Sequence, residues 1–350
     1  MFLKSWSTIS PQPSWSNDLK FTPTIHSGNI LKCLEPDYAE FLNSTDTRRM
    51  SRILKMSAST ALKALLSASI ASPDKIIAGT GLGCLEDTGL FLKKMIESAE
   101  LFLNPTPFIH STHNTLSSKI AIQTRCYGYN ATYTQTAFSF ELALIDAQLH
   151  LKETPAQNIL VGATDEITEL SQNLMSEFKM FKKEPIKNYD LFKTNSSGTL
   201  NGEGSAWFVA SGVPKNSDIE IVDVFTIFRQ PKQDIVALSK DFIHRNGIKK
   251  EDVDLVLGGF SGDNKLDTDL EKWLSSIFEY EKIGKFKHLC GEYHTSSSFA
   301  LWLGCQLITS NSSRPEITLC QSEHEVKKIL IFNSYFNSHI TLILISKYEE

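Results

Sequence analysis

The chain has 350 residues and a mass of 39.2 kDa, with 41% apolar and 21% charged residues, a formal net charge of −5 and a sequence pI of about 6.0. That length suffices for a large core in one big or two medium domains, and the mild acidity argues against nucleic acid or a membrane surface as partner. No apolar run is long enough to cross a bilayer, and no cationic start followed by an apolar stretch marks a leader, so the expected location is cytoplasmic.

Strand and helix signals alternate along the chain. In 48–70, Ile53, Leu54, Ala58, Ala61, Leu62 and Leu65 recur at helical spacing. Ile76–Ala78 is a short buried strand that runs into the turn Gly79-Thr80-Gly81-Leu82-Gly83. A helix follows around Asp87–Leu101, with Pro105 and Pro107 expected to break it. A second helix is expected over Leu116–Arg125, a strand over Thr132–Thr136, a buried helix over Phe138–Leu151 and a strand over Asn158–Gly162. Residues 182–205 are polar and loop-like, and Ala206–Ala210 is a strand.

The turn cluster Ser211–Asn216 is the best internal boundary and divides the chain into 1–212 and 213–350. The second half alternates again. Strands are expected at Ile219–Val224, Val253–Gly258, Lys328–Asn333 and Thr341–Ile345, and helices at Lys232–Asn246, Asp267–Phe278 and Ser296–Ile308. The repeated alternation predicts an α/β protein of two similar halves.

The six cysteines, Cys33, Cys84, Cys126, Cys290, Cys305 and Cys320, form no CxxC pair and no zinc-spaced Cys/His cluster. They read as reduced core thiols, with no metal site and no cofactor expected. The glycine turn does not complete a dinucleotide fingerprint, because Cys84 follows Gly83 and no ribose-binding acid lies at the required distance.

A set of short motifs nevertheless occurs in a fixed order. Arg49-Met50-Ser51-Arg52 opens the first long helix, followed by the glycine turn 79–83, Phe108-Ile109-His110-Ser111-Thr112, Gly128-Tyr129-Asn130, Gly162-Ala163-Thr164-Asp165, Gly202-Glu203-Gly204-Ser205-Ala206 and Asn333-Ser334-Tyr335-Phe336. From about residue 40 to 345 this series resembles the β-ketoacyl synthase family. The resemblance implies a thiolase fold, two similar halves in a layered αβαβα arrangement, and an acyl-transfer site built on a cysteine and two histidines.

None of those three groups is where the resemblance puts it. Counting without a gap forward from Gly128 and Asn130, or back from Asp165, the nucleophile position reads Ala137, and a one-residue slip gives Phe138. Alanine has no lone pair with which to attack a thioester. Ser139 is close but lacks the Gly-x-Ser-x-Gly frame of a hydrolase elbow. Asp267 matches the family's aspartate eight positions after the first histidine, which makes that histidine Gly259. Lys287 and Gly291 match the lead-in to the second histidine, and Glu292 takes its place; His294 returns to the site only with a two-residue shift. The glycine-rich gate after Phe336 is replaced by Asn337, Ser338 and His339.

No catalytic residue is therefore expected, and Ala137, Gly259 and Glu292 are vestigial positions. Gln135, Glu292, His294, Lys287 and His113, with His110, are expected to fill the vacated pocket as a polar network. In a rival reading Glu292 and His294 act as an acid/base pair with His113 beside Asn114. The resemblance points to a chain-length factor that pairs with an active ketosynthase, with an acyl carrier protein as a further partner. Such proteins serve polyketide and aryl-polyene systems. Leu85, Thr88, Phe91, Leu92 and Phe108 are the candidate tunnel gate. Two alternatives stand beside it: a divergent synthase or acyltransferase using Glu292, His294 or Ser139, and a homodimer that binds acyl chains or a carrier protein.

Overall fold

Ten strands in one sheet carry the fold of the computed structural model, which describes residues 1–16, 22–48, 50–101, 103–216, 218–230 and 233–349. In the first half lie β1 (Phe2–Ile9), α1 (Arg52–Ser67), β2 (Lys75–Gly79), α2 (Leu85–Glu97), α3 (Pro105–His110), α4 (Thr115–Thr124), β3 (Asn130–Tyr133), α5 (Ser139–Glu153), β4 (Asn158–Asp165), α6 (Glu169–Glu177) and β5 (Gly204–Ser211). In the second lie β6 (Ile219–Phe228), α7 (Ile235–Arg245), β7 (Leu255–Gly258), α8 (Asn264–Ser275), β8 (Ile283–Lys285), α9 (Lys287–Cys290), α10 (Ser296–Ser310), β9 (Lys328–Tyr335) and β10 (His339–Lys347).

The strand order is β3-β2-β4-β5-β1 in the first half and β8-β7-β9-β10-β6 in the second, joined by antiparallel pairing of β1 with β6. Numbered within each half, both orders read 3-2-4-5-1. Pairing repeats as well. The first three of each series are parallel, and the last two join antiparallel. Even the register shift in the first strand recurs, between Leu3 and Ser5 in β1 and between Ile221 and Asp223 in β6.

Three cores give the layers. Helices α5 and α10 are packed with strands of both halves in one core that includes Phe140, Leu144, Phe299 and Leu303. Helices α1 and α4 cover the outer face of the first half, and α7 and α8 that of the second. Helix α10 is buried over every residue from Ser296 to Ile308, as a helix packed against strands from both halves of the sheet must be. The arrangement is the αβαβα thiolase fold of two similar halves.

Several elements differ from the sequence expectation. β1 carries no strong apolar alternation because Ser5, Ser7 and Thr8 occupy buried positions; Ser5 Oγ donates to Ala64 O at 2.6 Å and Thr8 Oγ1 to Ser205 O at 2.8 Å. Pro105 opens α3 at its first position, where no N–H is needed, and the Asn104 side chain caps it from Thr106 N at 3.0 Å. The strand expected over Thr132–Thr136 is Asn130–Tyr133, followed by a 3₁₀ turn over Thr136–Phe138. The expected loop 182–205 contains two-residue strands at Ile186–Lys187 and Asn201–Gly202. α8 begins earlier than expected because Asp263 accepts from Lys265 N and Leu266 N. Arg49 and Lys232, placed at helix openings by sequence, lie outside the described residues.

Candidate functional site

The C-terminal ends of β2 and β4 and the start of α10 converge on one carboxylate. Asp165 Oδ1 accepts from Thr80 Oγ1 at 3.0 Å, Gly81 N at 2.8 Å and Leu82 N at 3.3 Å. Its Oδ2 accepts from Thr295 N at 3.2 Å and Thr295 Oγ1 at 2.8 Å. One buried side chain thus ties the glycine turn of the first half to the head of α10 in the second. Glycine is required in that turn by space and by conformation. A Cβ on Gly81 would fall 2.3 Å from His294 Cβ, and Gly83 has φ +62°.

Beside this hub lies a buried ion pair. Lys287 Nζ lies 2.6 Å from Glu292 Oε2 and donates to Ser334 O at 2.7 Å, and both side chains are sealed from solvent. Burial pushes the Glu292 carboxyl up to about 7, against the opposing pull of Lys287. His294 stacks on Tyr335 at 4.9 Å between ring centroids, with Nε2 3.2 Å from the Tyr335 hydroxyl. Burial lowers the His294 pKa, opposed by Asp165. The space that remains, bordered by Leu82, Glu166, Phe181, His294 and Phe336, is about 20 Å³, room for about one water molecule.

Gly259 is closed to an imidazole. A Cβ there would lie 2.4 Å from Asn333 Oδ1 and 3.0 Å from Ser334 N. Ala137 is buried in the turn that leads into α5. Ser139, weighed as a nucleophile, is fully buried; its Oγ donates to Thr136 O at 2.7 Å and accepts from Gln135 N at 2.9 Å.

The expected polar network is smaller than sequence suggested. Lys287, Glu292 and His294 are together, whereas the Gln135 and His113 side chains are exposed and make no hydrogen bond to them among the described residues. His110 is buried elsewhere, with Nδ1 3.8 Å from Asp87 Oδ1, joining α3 to α2. A second motif pair meets outside the pocket: Arg52 Nη1 and Nη2 donate to the two oxygens of fully buried Glu203 at 2.6 and 2.5 Å, a bidentate geometry. Sequence reasoning missed the Asp165 hub, and it missed Thr136 and His339, whose Oγ1 and Nε2 lie 3.1 Å apart. The histidine closing the shortened turn after Phe336 was the one available signal.

Residues 7–211 match the sequence model of the β-ketoacyl synthase N-terminal domain. The chain belongs to the β-ketoacyl synthase family. No curated protein matches this family member at the sequence level. Among solved structures it is similar to the ishigamide ketosynthase/chain length factor, at 14% identity over 99% of this chain and 98% of that one, with a TM-score of 0.78. It is also similar to the ketosynthase ApeO in complex with its chain length factor ApeC from Xenorhabdus doucetiae (12% identity, 99% and 98% covered, TM-score 0.76). A third is AntDE:AntF, a type II polyketide synthase acyl-carrier protein in complex with its ketosynthase bound to the hexaketide (12%, 99% of both chains, 0.77). At these identities the likeness is one of fold.

In this β-ketoacyl synthase relative the five gate candidates lie on α2 and α3. Thr88 Oγ1 donates to Cys84 O at 3.0 Å, and the Phe91 and Phe108 rings pack at 5.2 Å. Leu92 and Phe108 are largely exposed, at 45% and 56%. The six cysteines are all free, and five are buried. Burial raises the thiol pKa values of Cys84, Cys290 and Cys305, the opposite of thiolate activation. Among the described residues no group of three or more His, Cys, Asp or Glu side chains is arranged for a metal ion, and no helix is long and apolar enough to cross a membrane.

Proposed function

We propose that this protein is a chain-length factor, a ketosynthase-like subunit that performs no condensation itself and pairs with an active β-ketoacyl synthase to shape the acyl tunnel. The observation that carries the reading is the plugged pocket. Lys287 and Glu292 fill the space beside Asp165, Gly259 leaves no room for an imidazole, and Ala137 offers no thiol. Decarboxylative condensation needs a nucleophile and donors at the developing oxyanion, and the family's positions for them supply neither.

Pairing is supported by the first half's surface. β3 is an edge strand, and Ile122, Tyr127 and Tyr129 beside it are exposed at 72%, 94% and 41%. Leu90, Leu92, Ile96, Phe108 and Ile109 on α2 and α3 extend the apolar exposure. An unpaired strand edge with large apolar neighbours suits a stable partner. The proposed partner is an active ketosynthase, with an acyl carrier protein delivering substrate, in polyketide or aryl-polyene synthesis in the cytoplasm. The halves 1–212 and 213–350 act as one rigid subunit in this reading. Two structural relatives, the ishigamide ketosynthase/chain length factor and the ketosynthase ApeO in complex with its chain length factor ApeC, point the same way.

Co-expression with the ketosynthase encoded nearest to this gene tests the reading. Equimolar co-purification is expected, with malonyl-dependent elongation that requires the partner's cysteine. Elongation by this chain alone would overturn it.

A further inference from the structure

Thr136 immediately precedes the vestigial position Ala137. Its φ of +49° lies in the left-handed region, an outlier for a β-branched residue and a form of strain that collects at working sites. The side chain is exposed, and its Oγ1 is 3.1 Å from His339 Nε2. On the far side of that ring, Nδ1 is 2.9 Å from Ser338 Oγ.

The proton positions follow from what each atom is able to do. Ser338 Oγ lies 3.0 Å from the Tyr335 carbonyl, which only accepts, so the hydroxyl proton goes there. Ser338 then accepts from Nδ1–H of His339. In the neutral ring this leaves Nε2 bare, and Thr136 donates its hydroxyl proton to it. Burial and the neighbouring His294 both lower the His339 pKa, favouring that neutral ring at pH 7. Phe138 and Phe228, with ring centroids 4.7 and 5.0 Å from His339, hold the imidazole in place.

A hydroxyl, a bare imidazole nitrogen and an acceptor behind the other ring nitrogen are the parts of an activated nucleophile. We propose that Thr136 accepts acyl groups from apolar acyl thioesters, with His339 as its general base and Ser338 as a positioning residue. This activity is separate from condensation and does not depend on the chain-length-factor reading. Thr136 Oγ1 attacks the thioester carbonyl carbon while His339 Nε2 takes its proton. The C–S bond breaks, and the thiol leaves with that proton, giving a Thr136 ester. Water then gives a proton to the same Nε2 and attacks the ester carbonyl. The C–O bond to Thr136 breaks, Thr136 recovers the proton, and a carboxylic acid is released. The aromatic wall of Phe138 and Phe228, the latter 55% exposed, selects an apolar acyl chain.

The test uses the purified full chain with p-nitrophenyl octanoate, following p-nitrophenol release and, by intact-mass and peptide analysis, the octanoyl adduct. An adduct on Thr136 is expected, lost in Thr136→Val and kept in Thr136→Ser. His339→Gln is expected to slow release about 100-fold and to remove a rise in rate with pH centred below the usual imidazole range. No adduct and no release by the unaltered protein would overturn the proposal, as would release unchanged by Thr136→Val. If Thr136→Val fails to fold, a folded His339→Gln protein that matches the unaltered rate and pH profile overturns it as well.

Discussion

Lys287 Nζ and Glu292 Oε2 meet at 2.6 Å with neither side chain accessible to solvent, and Lys287 also holds the carbonyl of Ser334 in β9. In the proposed chain-length-factor reading the pair takes the place of a reactive group and serves as a plug. Breaking it strands one buried charge, which costs about 3–5 kcal/mol. Glu292→Ala is expected to lose stability on that scale in urea denaturation, and Lys287→Met with Glu292→Leu to recover most of it. A single variant within 0.5 kcal/mol of the unaltered protein would show that the pair is not sealed.

Glu141 on α5 is fully buried, and neither carboxyl oxygen has a hydrogen-bond partner among the described residues. The hydroxyls of Ser297 and Thr341 face it and moderate the shift without reaching hydrogen-bond geometry. Burial pushes the carboxyl from its ordinary 4.5 up to about 7. The folded chain therefore binds this proton more tightly than the unfolded chain between those values. Stability from this group is full below pH 4.5 and falls as pH rises through 7, by about 3 kcal/mol in total. Glu141→Gln is expected to flatten the loss between pH 5 and pH 8, read from urea midpoints. An unchanged slope would place the titration elsewhere.

Asp165 accepts five hydrogen bonds from Thr80, Gly81, Leu82 and Thr295. Bonds to a charged acceptor contribute about 1.5–3 kcal/mol each and are not additive. Asp165→Ala is expected to cost at least about 3 kcal/mol and to speed amide exchange at both 80–82 and 295–296. Faster exchange at one segment alone would argue against a shared tie.

Ile122 and Tyr127 are exposed beside the free edge of β3. Ile122→Asp is expected to leave the isolated chain's stability within about 0.5 kcal/mol and to weaken ketosynthase pairing at least tenfold in a titration, about 1.4 kcal/mol. Unaltered pairing would move the interface off this face.

Phe91 packs on Phe108 across α2 and α3. If these rings end the acyl tunnel, Phe91→Ala in the co-expressed complex lengthens the product, as mass spectrometry of the released chains would show. Unchanged length across Leu85, Thr88 and Phe91 variants would remove α2 from the tunnel.

The sequence by itself determined the alternating elements, the ordered glycine motifs and the missing thiol, because these are local: a period, a turn residue, an atom that is absent. It also placed Lys287 and Glu292 near one another, five positions apart. What it left open was decided by contacts between distant segments. β1 was invisible because serines and a threonine fill its buried positions, and Ser5 and Thr8 find their acceptors only once α1 and β5 are in place. Asp165 and Thr295 are 130 positions apart, and Thr136 and His339 are 203. No periodicity encodes such pairs. They come together because two halves of the same strand order pack around α5 and α10, bringing the end of β4 to the head of α10 and the head of α5 to the start of β10.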